Sequence, residues 1–370
     1  MNGVDGQALP RLSVADYGVQ TWGVLVAAYR DLNARKLFWV ALALNALVIV
    51  SMAAIGIDEG GVSVLGISLP IPAVNTRTFP GASLYTYTFM YLGVGLWLGW
   101  LSTILALLST ASIFPDLASG GVDTMLSKPI GRMRLFITKF VSGLLFSALQ
   151  VTVFALLSFI VIGVRGGEWE WGLFVVVPLM VLFFSYLFCV QAVVGMITRS
   201  AIASVIATLL FWIFLFLVHT GEQVSTFGVI SSRLEIEGIE ARIAKVDDEE
   251  RKKPFVARRE ERLATLPNWE LASSLFLAAK TVLPKTTETA QLTTRALTMT
   301  TTFTADDDAD EDERRRRGAF RSEFVSQRKF EAAVEEEYAS RSVWWVVGTS
   351  LGFVGFTLGI GAWYFRRRDF

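Results

Sequence analysis

Six stretches of this chain are apolar over a length that a lipid bilayer explains and a soluble core does not. They run from Leu37 to Ile57, Thr86 to Phe114, Phe140 to Val164, Gly172 to Ile197, Ala201 to Val218 and Val343 to Phe365. A hydrocarbon core asks for roughly 20 such residues per helix, and inside it every backbone polar group must be satisfied within the helix itself. The second and third runs exceed that length, which tilt or an extension into the interface absorbs. Hydrophobic residues make up 53% and charged residues 18% of the chain, well away from soluble globular domains. The expected fold is an all-α integral membrane protein with six transmembrane helices.

Lysine and arginine in short loops set the orientation, because such loops stay in the cytoplasm. Arg30, Arg35 and Lys36 precede the first run, while Lys128, Arg132, Arg134 and Lys139 lie between the second and third. Arg199 follows the fourth, and Arg366, Arg367 and Arg368 follow the last. All fall on one side, so both termini are expected in the cytoplasm. Trp169 and Trp171 suit an outer aromatic belt. The N-terminus lacks a basic segment followed by an apolar core, so no cleavable signal is expected and the first run is its own insertion signal. The formal net charge is zero, which leaves no electrostatic footprint for nucleic acid.

Four regions follow: 1–36, a cytoplasmic N-terminus; 37–219, the first five spans with a cytoplasmic hairpin at 113–139; 220–342, a mainly helical extracytoplasmic insert; and 343–370, the sixth span with a basic tail. The insert carries "RRRR" at 314–317, against the charge rule, although long loops cross largely regardless of charge. Residues 231–265 place Leu234, Ile236, Ile239, Ile243 and Val246 at mostly helical spacings, and Ala319 to Tyr338 offers a second amphipathic helix. The two are expected to pair as a hairpin. Between them 268–284 has an apolar face but carries Lys280 too centrally to span, so it reads as an interfacial helix. The Thr-rich, charge-blocked stretch after it reads as largely disordered, and "DDDADED" as a solvated acidic run rather than a calcium loop.

As bounded above, the six runs contain no Asp, Glu, Lys, Arg or His. Ion-coupled carriers and intramembrane enzymes need such groups at depth. Here only Asn45, Gln150, Gln191 and hydroxyls offer polarity. Cys189 and His219 are the sole cysteine and histidine, so neither a disulfide nor a Cys/His metal site is expected, and His219 stands alone at the outer edge of a span. There is no GxxxxGK[ST] phosphate loop. Energy for uphill transport must therefore enter from another polypeptide, and the chain itself is read as non-catalytic. Gly95 with Gly99, and Gly348, Gly352, Gly355 and Gly359, form small-residue stripes that permit close helix packing.

The polar break "SIFPDLASGGVDTMLSKPIGRMRLFITKF" lies on the cytoplasmic side. Phe114-Pro115 ends one helix, and "DLASGGVDTML" makes a short amphipathic one, with Asp116 near its start and Leu117, Val122 and Leu126 as apolar contacts. Pro129 and Gly131 turn the chain, and Arg132, Arg134 and Lys139 anchor the third span at the headgroups.

On these residues the chain resembles the permease subunits of type-2 ABC transporters, in particular the bacterial branch associated with multidrug, copper-enzyme maturation and gliding-motility operons. The resemblance rests on "DLASGGVDTML", the "SKPIGR" turn and "ITKFVSG"; "VLVAAYRDLNARKLFWV" looks like that family's connecting helix, and "LAAKTVLPKT" resembles an outer segment of some members. It covers roughly residues 20–220 and 343–370, while the inserts at 231–265 and 296–341 depart from the usual short loop. It implies a multi-pass protein of the bacterial inner membrane, active in export, with Asp116, Leu117, Gly121, Asp123, Leu126, Pro129, Arg132 and Lys139 forming the coupling segment received by a cytoplasmic ATPase dimer. ATP and Mg would sit on that ATPase, with no cofactor in this chain, and a second permease copy or paralogue would complete the channel. Turn residues and positive-inside charge account for the hairpin's proline and basic residues without any partner. The alternative function is a membrane-anchored scaffold whose outer insert binds an envelope protein, without transport.

Overall fold

A computed structural model describes residues 36–58, 61–64, 67–69, 88–119, 132–167, 169–300 and 342–367, with Tyr85 and isolated positions before residue 36. Six helical segments are long and apolar enough to cross a membrane: Lys36–Ala54, Phe89–Ala118, Arg132–Gly166, Trp171–Thr198, Ala201–Ile243 and Val343–Arg367. Each overlaps one of the six apolar runs. The described residues fall into two compact units, the first drawn from Met1–Trp169, Val176–Thr208 and Thr357–Phe370, the second from Glu170–Val175 and Leu209–Phe356.

In the first unit, helix α1 (Lys36–Ala54) buries Phe38, Ala41, Asn45, Ile49 and Met52. That three- and four-residue spacing draws one stripe along the helix, while Trp39, Leu47 and Val50 stay exposed. A helix apolar all round presents one face to protein and the rest to lipid. The all-α expectation needs one correction. At Ile55 the chain leaves the helix for an antiparallel meander of β1 (Ile55–Asp58), β2 (Gly61–Val64) and β3 (Ile67–Leu69), with Ile55 opposite Val64 and Val62 opposite Leu69. Alternating β-branched residues favour strands here, and the glycines at 56, 60 and 61 weaken a further helical turn. The Tyr85 hydroxyl donates to the Ile55 carbonyl at 2.6 Å and accepts from Arg165 Nε at 3.1 Å, tying the meander to the end of the third span.

The second span starts as a π-helix, Phe89–Ser102, and continues as α2 (Thr103–Thr110) and α3 (Ile113–Ala118). The break falls at Ala111 and Ser112 rather than at Phe114-Pro115. Pro115 sits in the first turn of α3, where its missing N–H costs no intrahelical bond. Helix α4 (Arg132–Val161) runs against α5 (Val176–Thr198). A Cβ at Gly143 would lie 2.3 Å from the Phe188 ring, so only glycine permits this approach. Phe188 also stacks on Phe140 at 5.1 Å and Phe184 at 5.2 Å, and Phe114 packs on Phe136 at 5.2 Å. Arg199, at φ 54°, makes a left-handed joint into α6 (Ala201–Ile243). Its N–H donates to the Gly195 carbonyl at 2.9 Å, and Ser200 caps the new helix by accepting from Ala203 N–H at 3.3 Å.

In the second unit α6 does not stop at the end of its apolar stretch. Its 43 residues make a rod about 65 Å long, roughly twice the thickness of a hydrocarbon core. The expected amphipathic helix at 231–265 is therefore split between the far half of α6 and the start of α7 (Glu249–Val282). Helix α7 returns antiparallel along α6. Glycines allow this: a Cβ at Gly221 would lie 2.5 Å from Phe276, and one at Gly228 would lie 2.4 Å from Trp269. Of residues 268–284, expected as an interfacial helix, those up to Val282 belong to α7 and pack along α6 while Leu271, Leu275 and Val282 remain exposed. The anticipated hairpin partner, 319–338, lies outside the described residues, as do "DDDADED" and 314–317.

Helix α8 (Thr286–Thr300) occupies part of the stretch expected to be disordered. Its Thr289 and Thr293 are fully buried. Their hydroxyls donate to the carbonyls of Lys285 and Thr289 at 2.8 and 3.0 Å, and this back-bonding lets a threonine-rich sequence enter a core. Helix α9 (Val343–Arg367) closes the chain.

Candidate functional site

The expected coupling segment is anchored at both ends. Asp116 is exposed on α3 while Leu117, beside it, is buried. Arg132 opens α4, and Lys139 lies two turns further on, half-buried. The Phe114–Phe136 contact holds α3 against α4. Gly121, Asp123, Leu126 and Pro129 lie outside the described residues.

Among the glycine stripes, Gly348, Gly352, Gly355 and Gly359 are exposed, and a Cβ on any of them meets nothing within 4 Å. Gly95 is exposed and Gly99 buried, and an added Cβ on either approaches only the carbonyl of its own preceding turn. The contact-making glycine of that span is Gly93, whose Cβ position is 3.2 Å from the Phe154 ring.

The polar side chains at depth stitch helices together. Asn45 Nδ2 donates to the Gln150 carbonyl at 3.3 Å and its Oδ1 accepts from Trp97 Nε1. Gln150 Nε2 donates to Ser102 Oγ, and Gln191 Nε2 to the Leu107 carbonyl, both at 2.8 Å. Such bonds are worth about 0.6 to 2 kcal/mol each in a bilayer, enough to fix which helix faces which.

The site that sequence reasoning missed lies where α6, α7 and α8 meet. His219 and Glu222 stand one turn apart on the same face of α6, Lys280 projects from the last turn of α7, and Glu288 from the first turn of α8. All four are nearly inaccessible, Glu222 at 1% and Lys280 at 4% exposure. The Lys280 ammonium pairs with both carboxylates and donates to His219 Nδ1 at 3.1 Å. His219 Nδ1 lies 3.7 Å from Glu288 and 4.0 Å from Glu222, and its buried Nε2 has no partner among the described residues. Burial alone would raise the Glu288 carboxyl, but His219 and Lys280 outweigh it and hold Glu288 at about 2. His219 is thus not alone, as the sequence had it. The ligand atoms of His219, Glu222 and Glu288 lie within 4.8 Å of one another, a spacing that suits a cation. The available signal was a histidine and a glutamate at i and i+3, followed by one lysine in the otherwise apolar "SLFLAAKTVL".

A second buried lysine braces the junction. Lys285 Nζ donates to the Lys280 carbonyl at 3.1 Å and to Thr349 Oγ1 at 2.6 Å, and sits over the Trp345 ring at 4.2 Å. Its backbone N–H donates to Ser350 Oγ at 3.0 Å. The ammonium thus caps the carbonyl end of α7, where the helix dipole is negative.

A family model described as "ABC-2 family transporter protein" matches residues 30–370. No curated protein and no solved structure matches the chain.

Proposed function

From the premise that the chain belongs to the ABC-2 family of transporter proteins, we propose that it is the membrane-spanning permease of an ATP-driven exporter, coupled to a separate cytoplasmic ATPase through residues 113–139. The carrying observation is the family match extending over all six membrane-length helices. Members of such a family form the transport path and are not themselves the catalyst. Support comes from the apolar runs, which lack ionisable groups, and from the Asn and Gln side chains at depth, which are engaged in holding helices together. Rigid-body rocking of the spans, driven by nucleotide-dependent closure of the ATPase against Asp116 to Leu126, is the motion this reading requires. The bacterial inner membrane, with both termini cytoplasmic and 220–342 outside, is the setting. ATP and Mg belong to the ATPase, and a second copy or paralogue of this chain completes the assembly.

Replacement of Asp116 to Leu126 by a Gly/Ser linker tests the coupling. Loss of ATPase co-purification from detergent, with the permease still monodisperse, is expected; unchanged co-purification removes the proposal. A second reading, the envelope scaffold, is favoured by the long exposed α6–α7 hairpin. Deletion of 231–341 separates the two, since a transporter keeps partner-stimulated ATP hydrolysis and a scaffold loses its role.

A further inference from the structure

We propose that His219, Glu222 and Glu288 form a binding pocket for a divalent metal ion of the zinc class, with Lys280 as its built-in competitor. One nitrogen and two carboxylates are the borderline donors such an ion prefers, and three protein ligands with an open fourth position are a recurrent arrangement. The spacing is supplied by structure: one turn of α6 aligns His219 with Glu222, and the first turn of α8 brings Glu288 to meet them, all within 4.8 Å.

The position of Lys280 marks where a cation belongs. Its ammonium contacts all three ligand groups at once. It is a single ammonium set between two buried carboxylates, and buried carboxylates need close cationic partners. The Lys285 ammonium is directed instead at the carbonyls of Lys280, Thr281 and Leu283 and at Thr349. A dication balances both carboxylates. His219 turns its Nδ1 into the cluster, 3.1 Å from the Lys280 ammonium and 3.7 Å from Glu288, while its buried Nε2 has no partner among the described residues. The flexible four-carbon stem of lysine lets the ammonium withdraw while α7 stays in place. The exchange swaps one cation for another, and no covalent bond or electron moves.

The test uses the full chain in detergent, titrated with Zn2+ by equilibrium dialysis and with Co2+ by visible absorption. Wild type should bind one equivalent weakly. The variant K280M should bind it about tenfold more tightly or better, with cobalt bands typical of nitrogen and carboxylate ligation. The double variant K280M/H219A should lose both signals. If K280M fails to fold, K280Q replaces it and carries the same expectation. Absence of zinc binding in the Lys280 variants, or binding that survives loss of His219, overturns the site. Equal affinity in wild type and K280M overturns the competitor role.

Discussion

A lysine at 4% exposure persists because two carboxylates and an imidazole surround it, and removing one member of such a group strands the others. K280A should therefore cost about 3 to 5 kcal/mol, read as a fall in unfolding temperature of the detergent-solubilised protein. Glu288 gives this a pH signature. Its carboxyl is lowered from 4.5 to about 2, so its stabilising contribution is complete above pH 4.5 and is lost as the pH falls toward 2, amounting to about 3 kcal/mol. E288Q should flatten the stability profile across that acid window, and a profile as steep as wild type would contradict the pairing. Gly143 is the other telling residue. G143A sets a methyl group into the Phe188 ring and should cost about 1 to 3 kcal/mol, with α4 and α5 forced apart.

At the scale of elements, the part of the α6–α7 hairpin beyond the buried Lys280–Glu222 pair is held by packing more than by surface charge. Arg258 and Arg262 both pair with Glu235 at 2.7 Å, and Arg259 pairs with Glu240 at 2.9 Å. These are partly or wholly solvent-facing and worth at most about 1 kcal/mol each. They set register. The close approaches of Phe276 to Gly221 and of Trp269 to Gly228 carry the association, so G228A should loosen the hairpin by about 1 to 3 kcal/mol while E235Q barely changes it; limited proteolysis between α6 and α7 reads the difference. The joint between α5 and α6 makes the opposite case. Arg199 holds a left-handed backbone conformation that disfavours a side chain. Much of this level was hidden in the sequence. The amphipathic period at 231–265 was visible, but nothing local showed that 231–243 continues a membrane span, or that a Thr-rich stretch folds by back-bonding its own hydroxyls.

For the whole molecule, the six spans were legible because burying a helix in lipid requires an unbroken apolar run, and such runs are a local property of sequence. The ion network was not, since Lys280 meets its partner Glu222 from 58 residues away, and only the return of α7 along α6 brings them together. The small β-meander was missed for a related reason: its strands are short and adjoin a longer apolar helix. If 113–139 transmits force, shortening the tip of the α6–α7 hairpin by matched deletions on both helices should leave ATPase stimulation intact, whereas the Gly/Ser linker at Asp116 to Leu126 should abolish it. Both are measured by ATP hydrolysis in reconstituted vesicles.

The unbroken course of α6 through 43 residues has a mechanical meaning. Braced by α7 along its distal half, α6 moves with that helix as a stiff lever: a pivot of about 10° near His219 would carry the distal end through roughly 6 Å. Small angular changes among lipid-embedded turns would thus be legible far from where they arise, as on the dial of a gauge.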